Sequence, residues 1–306
     1  MMQARWMRTV ILAMAALLPT LAWAQSADPK RWQLNMGKGV TETSQIAYES
    51  HMIVLWICVV IGVLVFGAMG YAMWKFRKSA GAVADRDFTH STRLEIVWTV
   101  VPVVLLVLMA FPATSKLISI YDTRDSAMTV KVTGYQWMWT YEYLGEGVDF
   151  TSRLDRKSDQ IRQSGRVPTM AEHPNYLLDV DNALVLPTKT KIRFVITADD
   201  VIHAWWVPSL GWKQDAIPGI VNEQWTEIQT PGVYRGQCAE LCGKDHGFMP
   251  IVVRAVPRAE YDTWLAAEKA KRAPAVAPAP VAPATPAPVA PAPVISEAPA
   301  AVAVAG

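Results

Sequence analysis

The chain is 306 residues long, 52% hydrophobic, and carries a formal charge of only +2. That length admits one ordinary domain with membrane segments or two small domains, and the near-neutral balance gives no reason to expect a nucleic-acid partner. Cysteine occurs only as Cys58, Cys238 and Cys242, and two of these share one short loop, which is a poor basis for a disulfide scaffold.

The first elements concern a membrane. Arg5 and Arg8, the apolar run from Val10 to Leu21, and Ala22-Trp23-Ala24 together read as a secretory signal over residues 1–24, with the mature chain starting near Gln25. Met52 to Trp74 and Ile96 to Ser115 are uncharged throughout. At ~1.5 Å rise per residue, each covers a hydrocarbon core of ~30 Å. Pro102 interrupts the second run, which membrane helices tolerate. Lys75, Arg77, Lys78, Arg86 and Arg93 outnumber Asp85, Asp87 and Glu95 in the connecting loop, which places that loop in the cytoplasm. The expected arrangement over 25–118 is therefore a two-span hairpin in a bacterial inner membrane, with both ends in the periplasm.

From residue 119 the pattern changes to short β-like runs. Met128 to Thr133, Tyr135 to Tyr143, Thr190 to Thr197, Gln224 to Gln229 and Pro250 to Val256 are rich in Val, Ile, Thr and aromatics, with turn formers between them. This spacing predicts a β-sandwich, followed by a short polar helix from Pro257 through Tyr261 to Lys271. The expected periplasmic domain spans 119–272. Residues 273–306 are almost wholly Ala, Pro and Val and read as an extended, disordered tail.

The chemistry concentrates in Gln237-Cys238-Ala239-Glu240-Leu241-Cys242-Gly243-Lys244-Asp245-His246-Gly247-Phe248-Met249. Thiolate and thioether are soft ligands that select copper, and imidazole suits either copper oxidation state. A second imidazole, His203, closely follows a predicted strand. Mononuclear blue-copper sites use two His, one Cys and a weak Met. This chain offers that set plus one more Cys, which makes sense if both sulfurs bridge two copper ions. A Cys2His2 zinc site and a Cys238–Cys242 disulfide remain open on chemistry alone. The spacing of four between Cys238, Cys242 and His246 fits one helix face, but Gly243, Gly247 and Pro250 argue against a helix there.

The run Cys-x-Glu-x-Cys-x-x-x-His-x-x-Met with an upstream His resembles the CuA motif of cytochrome c oxidase subunit II. The helix hairpin, aromatic strand and metal loop follow in that family's order over about residues 40–270. The resemblance implies an all-β, cupredoxin-like Greek-key sandwich preceded by a two-helix transmembrane hairpin. It implies a dinuclear copper centre with Cys238 and Cys242 as bridging thiolates, His203 and His246 as terminal imidazoles, and Met249 as a weak axial ligand. Glu240 is implied to bind through its backbone carbonyl, with its carboxylate reaching a magnesium ion shared with subunit I. Oxidase subunits I and III and cytochrome c are the implied partners. Oxygen reduction then takes place in subunit I, with the electron handed inward from this chain.

Gly134 to Tyr143 alternates well enough for one strand with Trp137 and Trp139 on the same face. By resemblance, Trp137 is the exposed indole that receives the electron from cytochrome c, although Met138 stands where the family commonly has Tyr. Residues 119–272 hold 20 acidic and 18 basic side chains, so docking of a basic cytochrome must rest on local clusters. Glu142, Asp181 and Asp200 are the candidates, and association is expected to slow as salt rises. Glu95, just before the second span, is implied to stand at the mouth of a proton path into subunit I. No Cys-x-x-Cys-His occurs, so no covalently bound c-type haem is expected on this chain. A membrane-tethered copper carrier or sensor is the competing reading; it has no use for Trp137, Glu240 or Glu95. A quinol oxidase subunit lacks the copper ligands that are all present here.

Overall fold

The computed structural model describes residues 32–83 and 86–272. The signal-peptide reading of residues 1–24 and the Ala/Pro tail of 273–306 lie outside the described residues.

Helix α1 spans Glu42–Lys75 and helix α2 spans Thr92–Ile120. Both are long and apolar enough to cross a membrane, and no residue of their apolar windows is buried within the chain. The helices outrun the apolar runs on both sides. The 34 residues of α1 reach about 50 Å, well beyond a hydrocarbon core of ~30 Å. Its extra turns carry Glu42, Gln45 and Glu49 at the end nearer the β-domain. A capping box starts it: the Thr41 hydroxyl accepts from Ser44 N–H, and the Ser44 hydroxyl accepts from Thr41 N–H, each at 3.0 Å. Pro102 and Pro112 both lie inside α2. A Lys116–Glu49 ion pair at 3.1 Å ties the two helices together.

Among the described residues ten strands follow, in two five-stranded sheets. One sheet holds β1 (Met128–Tyr135), β2 (Met138–Tyr143), β3 (Val148–Ser152), β5 (Ile192–Ala198) and β8 (Asn222–Thr226), in the order β3-β2-β1-β5-β8. The other holds β4 (Leu184–Pro187), β6 (His203–Val207), β7 (Trp212–Ala216), β9 (Gly232–Cys238) and β10 (Pro250–Val256), in the order β4-β10-β9-β6-β7. Pairing is antiparallel except for β1 with β5 and β4 with β10. Alternation sets the facing: Ile192, Phe194 and Ile196 of β5, and Trp139, Tyr141 and Tyr143 of β2, all point into the core. Trp205 and Trp212 stack at 5.1 Å and meet Phe194 across the sandwich. The Tyr143 hydroxyl donates to the Val185 carbonyl at 2.7 Å, joining the two layers. Helix α4 (Arg258–Arg272) closes one end by laying Tyr261 and Trp264 against Tyr143. Helix α3 (Arg156–Gln163) sits in the excursion between β3 and β4.

The expected strand over 135–143 is in fact a hairpin. β1 ends at Tyr135, β2 begins at Met138, and the turn at Gln136-Trp137, joined by a cis peptide, lies between them. Trp137 and Trp139 therefore do not share a strand face. The cause is tertiary: Gln136 and Trp137 are drawn toward the loop after β9 by hydrogen bonds that local sequence does not reveal. Strands β3, β4, β6, β7, β9 and helix α3 were not expected, and the run expected at 224–229 is Asn222–Thr226.

The start of α1 is built into the β-domain. Thr41, Thr43 and Ser44 are buried. Both threonine hydroxyls donate to the Leu210 carbonyl, and Val40 N–H donates to Ser209 at 2.9 Å. Gly211 permits this contact. Its φ is +85°, and a Cβ there would lie 2.2 Å from Ser44 Cα. At the end of α2, Trp225 Nε1 donates to the Ser119 carbonyl at 3.2 Å. Both helices are thus fastened to the β-domain.

Candidate metal centre

His203 opens β6 and Cys238 closes β9. These strands are neighbours, with Trp205 opposite Cys238, so the ladder itself brings the imidazole beside the first thiol. The chain then loops through Glu240, Cys242 and the short turn His246–Phe248 before Met249 leads into β10. Six expected donors converge. The Cys238 and Cys242 sulfurs lie 3.8 Å apart. His203 Nδ1 is 3.9 Å from the first sulfur and His246 Nδ1 is 3.5 Å from the second. The Glu240 carbonyl oxygen lies 3.3 Å from Cys238 Sγ, and Met249 Sδ lies 3.5 Å from Cys242 Sγ. The ligand atoms of His203, Cys238 and Cys242 all fall within 4.8 Å of one another.

Each sulfur thus has one imidazole nitrogen and one weak donor beside it. Both cysteines are free thiols, which sets the disulfide aside. A tetrahedral zinc ion would be filled by the two thiolates and two imidazoles. The thioether and the carbonyl held against the sulfurs would then have no function. The full set, soft at its centre and buried at Cys238, Cys242, His203 and Met249, fits copper.

Electrostatics in the metal-free chain are unequal at the two thiols. Burial works against the Cys238 thiolate, but hydrogen bonds from His203, the Glu240 and Ala204 backbone and His246 together outweigh it and bring the thiol down to about 7. Burial and the neighbouring Cys238 charge push Cys242 up to about 12.

His203 is oriented from behind. Its Nε2 lies 2.9 Å from Asp200 Oδ1, which turns Nδ1 toward Cys238. Burial lowers the affinity of His203 for a proton, while Cys238 and Asp200 raise it and prevail. The same carboxylate accepts from Val201 N–H at 2.6 Å and from Gln136 N–H at 2.8 Å. Asp200 is one of the docking candidates, for which a structural role was as much expected, and it holds the His203 ring and the hairpin turn. The signal was available, because an acid three residues before a ligand histidine is within reach of its outer nitrogen. The other docking candidates are also engaged: Asp181 accepts from Arg153 and Asn182 N–H, and Glu142 lies 3.8 Å from Lys131.

Both tryptophans of the aromatic run touch the centre. Trp137, half-buried, donates from Nε1 to the Cys242 carbonyl at 3.1 Å, and Gln136 Nε2 donates to the same oxygen at 2.8 Å. Trp139, fully buried, donates to the Met249 carbonyl at 3.3 Å and sets its ring edge-on to His203 at 5.9 Å. Gln136 was not foreseen. Gly134 is required beneath them: a Cβ there would lie 2.9 Å from the His203 ring. Glu95 is not part of this cluster. It lies in the first turn of α2, about 37 Å along the helix from Ile120 at its domain end. The three remaining histidines stand apart from this centre: His173 is buried against Ser158 Oγ at 3.0 Å, His51 meets Asn35 Oδ1 at 2.7 Å, and His90 lies 3.4 Å from Thr89 Oγ1 in the loop between the helices.

Comparison with known proteins matches both halves in order. The family described as "Cytochrome C oxidase subunit II, transmembrane domain" matches residues 29–115, and "Cytochrome C oxidase subunit II, periplasmic domain" matches 128–256. A probable cytochrome c oxidase subunit 2 of Rickettsia prowazekii is 38% identical over 242 residues, covering 79% of this chain and 74% of that protein. The mitochondrial cytochrome c oxidase subunit 2 of Glycine max is 39% identical over 265 residues, covering 86% of this chain and 64% of that protein. Among solved structures, the periplasmic domain of subunit II of the cytochrome oxidase of Bradyrhizobium japonicum is 40% identical, with a TM-score of 0.42, covering 49% of this chain and 98% of that one. The two-span membrane segment, the β-sandwich and the thiol–imidazole cluster therefore have one common origin: the chain belongs to the cytochrome c oxidase subunit II family.

Proposed function

We propose that this chain accepts electrons singly from cytochrome c on the periplasmic side of a bacterial inner membrane. It passes them to the haem of subunit I, where oxygen is reduced to water, in a complex that also holds subunit III. The observation that carries this reading is the convergence of four donor atoms on two facing thiols, with Trp137 hydrogen-bonded to one of the ligand residues.

Cys238 and Cys242 would bridge two copper ions, His203 and His246 would terminate the pair, and Met249 and the Glu240 carbonyl would be the weak donors. Copper bound this way supplies a centre that takes up and returns one electron with little ligand movement. The protein's part is to prevent such movement. Asp200 fixes the His203 tautomer, the β6–β9 ladder fixes the spacing of His203 and Cys238, and burial keeps water from the sulfurs. Trp137 places an indole on the outer side of the centre, one hydrogen bond from the Cys242 main chain. The Glu240 side chain is exposed, which leaves its carboxylate available for a magnesium ion shared with subunit I. Glu95, at the opposite end of α2, would supply a carboxylate to a proton path. A Glu95→Gln enzyme with normal turnover and proton uptake would remove that assignment.

The test is metal analysis with electron paramagnetic resonance and near-infrared spectra of the full chain, copper-loaded in detergent. Two copper ions per chain sharing one unpaired electron are expected. A single-copper blue spectrum, or zinc in place of copper, would refute the reading.

A further inference from the structure

The two imidazoles are held unequally. His203 is fully buried and backed by Asp200. His246 is half-buried, and among the described residues no carboxylate or carbonyl reaches its outer nitrogen. It rides on one short turn, closed by His246 N–H to Gly243 O at 3.2 Å and Phe248 N–H to Asp245 O at 2.9 Å. Two such bonds on a half-exposed loop do not fix a ligand against opening.

What grips the turn comes from the β3–β4 excursion. Arg162 of α3 donates from Nη1 to Asp245 Oδ1 at 3.1 Å, and its guanidinium lies 4.4 Å from the Phe248 ring centroid. It therefore holds the residue just before His246 and the residue two beyond it. Asp159 sets the fork in place, accepting from Arg162 Nε at 3.1 Å and Nη2 at 2.8 Å. The pair with Asp245 is largely shielded, with side chains 27% and 26% exposed, so solvent screens it less than a surface pair.

The excursion is itself anchored. Asp155 caps α3 through the N–H groups of Lys157 and Ser158, Ser158 is fully buried against His173, and Ile161 packs inward. Its returning arm is tied to β9, where Arg235 donates from Nε and Nη2 to Asp179 at 2.9 and 2.8 Å. Residues 153–181 thus grip the ligand segment on both sides, at Arg235 before Cys238 and at Asp245 and Phe248 after Cys242.

We propose that Arg162 is a positioning residue for the metal centre, and that the 153–181 excursion is a brace holding the His246 arm in ligating geometry. The role toward copper rests on the function proposed above; the role toward the loop does not. Without the guanidinium, Asp245 loses a charge-assisted partner and Phe248 loses its cover. The turn is then free to carry His246 away from Cys242.

The test compares Arg162→Met and Arg162→Lys with the unaltered full chain in detergent. In the copper-free chain, amide exchange at His246, Gly247 and Phe248 should quicken about tenfold or more in Arg162→Met, with β1 and β5 unchanged. After copper loading, the same variant should lose metal to a Cu(I) chelator faster and show altered nitrogen hyperfine coupling from one histidine. Arg162→Lys, a point charge without the fork, should recover part of each effect. Exchange and couplings equal to the unaltered chain, or acceleration spread equally over β1 and β5, would overturn the brace. If Arg162→Met does not fold, Asp245→Asn removes the same pair from the other side and is read the same way. Failure of the unaltered chain to bind two copper ions would instead sink the copper reading, leaving the exchange result to judge the brace.

Discussion

Asp200 offers a sharp test of how the centre is built. Its two oxygens serve three donors: Oδ1 takes Val201 N–H and His203 Nε2, and Oδ2 takes Gln136 N–H. With the side chain only 21% exposed, water compensates poorly for a lost partner. Asp200→Asn preserves shape but turns one oxygen into a donor. With its carbonyl toward Val201 and His203, the amide NH2 faces Gln136 N–H and one bond is lost. The flipped orientation loses two, so the first should prevail. One unsatisfied N–H costs about 1–3 kcal/mol. We therefore expect copper-free Asp200→Asn to unfold in denaturant with a stability lower by about that amount, while still binding two copper ions because His203 keeps its tautomer. Asp200→Ala removes the orienting bond as well, and copper affinity measured against a chelator should fall roughly 10–100-fold. Copper held as tightly by Asp200→Ala as by the unaltered chain, or equal stability of Asp200→Asn, would refute this role for Asp200.

Other outcomes follow from single contacts. Gly134→Ala would place a methyl 2.9–3.2 Å from His203 ring and Cβ atoms. Overpacking should cost about 1–3 kcal/mol and alter the copper spectrum without touching a ligand, as thermal melts and paramagnetic resonance would register. Trp137→Phe deletes the indole N–H that reaches the Cys242 carbonyl. Oxidation of cytochrome c should slow at least about tenfold, while the copper spectrum is retained; stopped-flow rates equal to those of the unaltered chain would count against Trp137 as electron acceptor. Glu223 is held below its ordinary value of 4.5, chiefly by hydrogen bonding to Arg193. A lowered folded value means that its stabilising share is complete above about pH 4.5 and is lost as pH falls through the folded value. At 38% exposure the pair is screened, so Glu223→Gln should cost no more than about 1 kcal/mol at neutral pH, with the difference vanishing in acid denaturation profiles.

Much of the chemistry was legible in the chain order. The donor residues from Cys238 to Met249 sit on one loop, and soft ligands crowded into twelve residues point to a thiolate metal, copper or zinc, before any fold is known. The membrane helices were equally plain, because twenty uncharged residues have few other uses. Their true length was less so. The polar first turns of α1 are helical because Thr41 and Ser44 cap them and because Leu210 and Ser209 hold the start of the helix, contacts some 170 residues away along the chain. The small strands β4, β6 and β7 escaped notice because four or five residues carry too little periodicity to stand out.

The sequence by itself determined which atoms can bind the metal and which segments can enter a bilayer, since both depend on side-chain chemistry and local hydropathy. Only the tertiary structure decided that β1 breaks at Gln136, that Asp200 backs His203, and that Arg162 reaches the ligand loop. Each of those depends on strands far apart in sequence lying side by side, and no local pattern encodes which distant neighbour a side chain will meet.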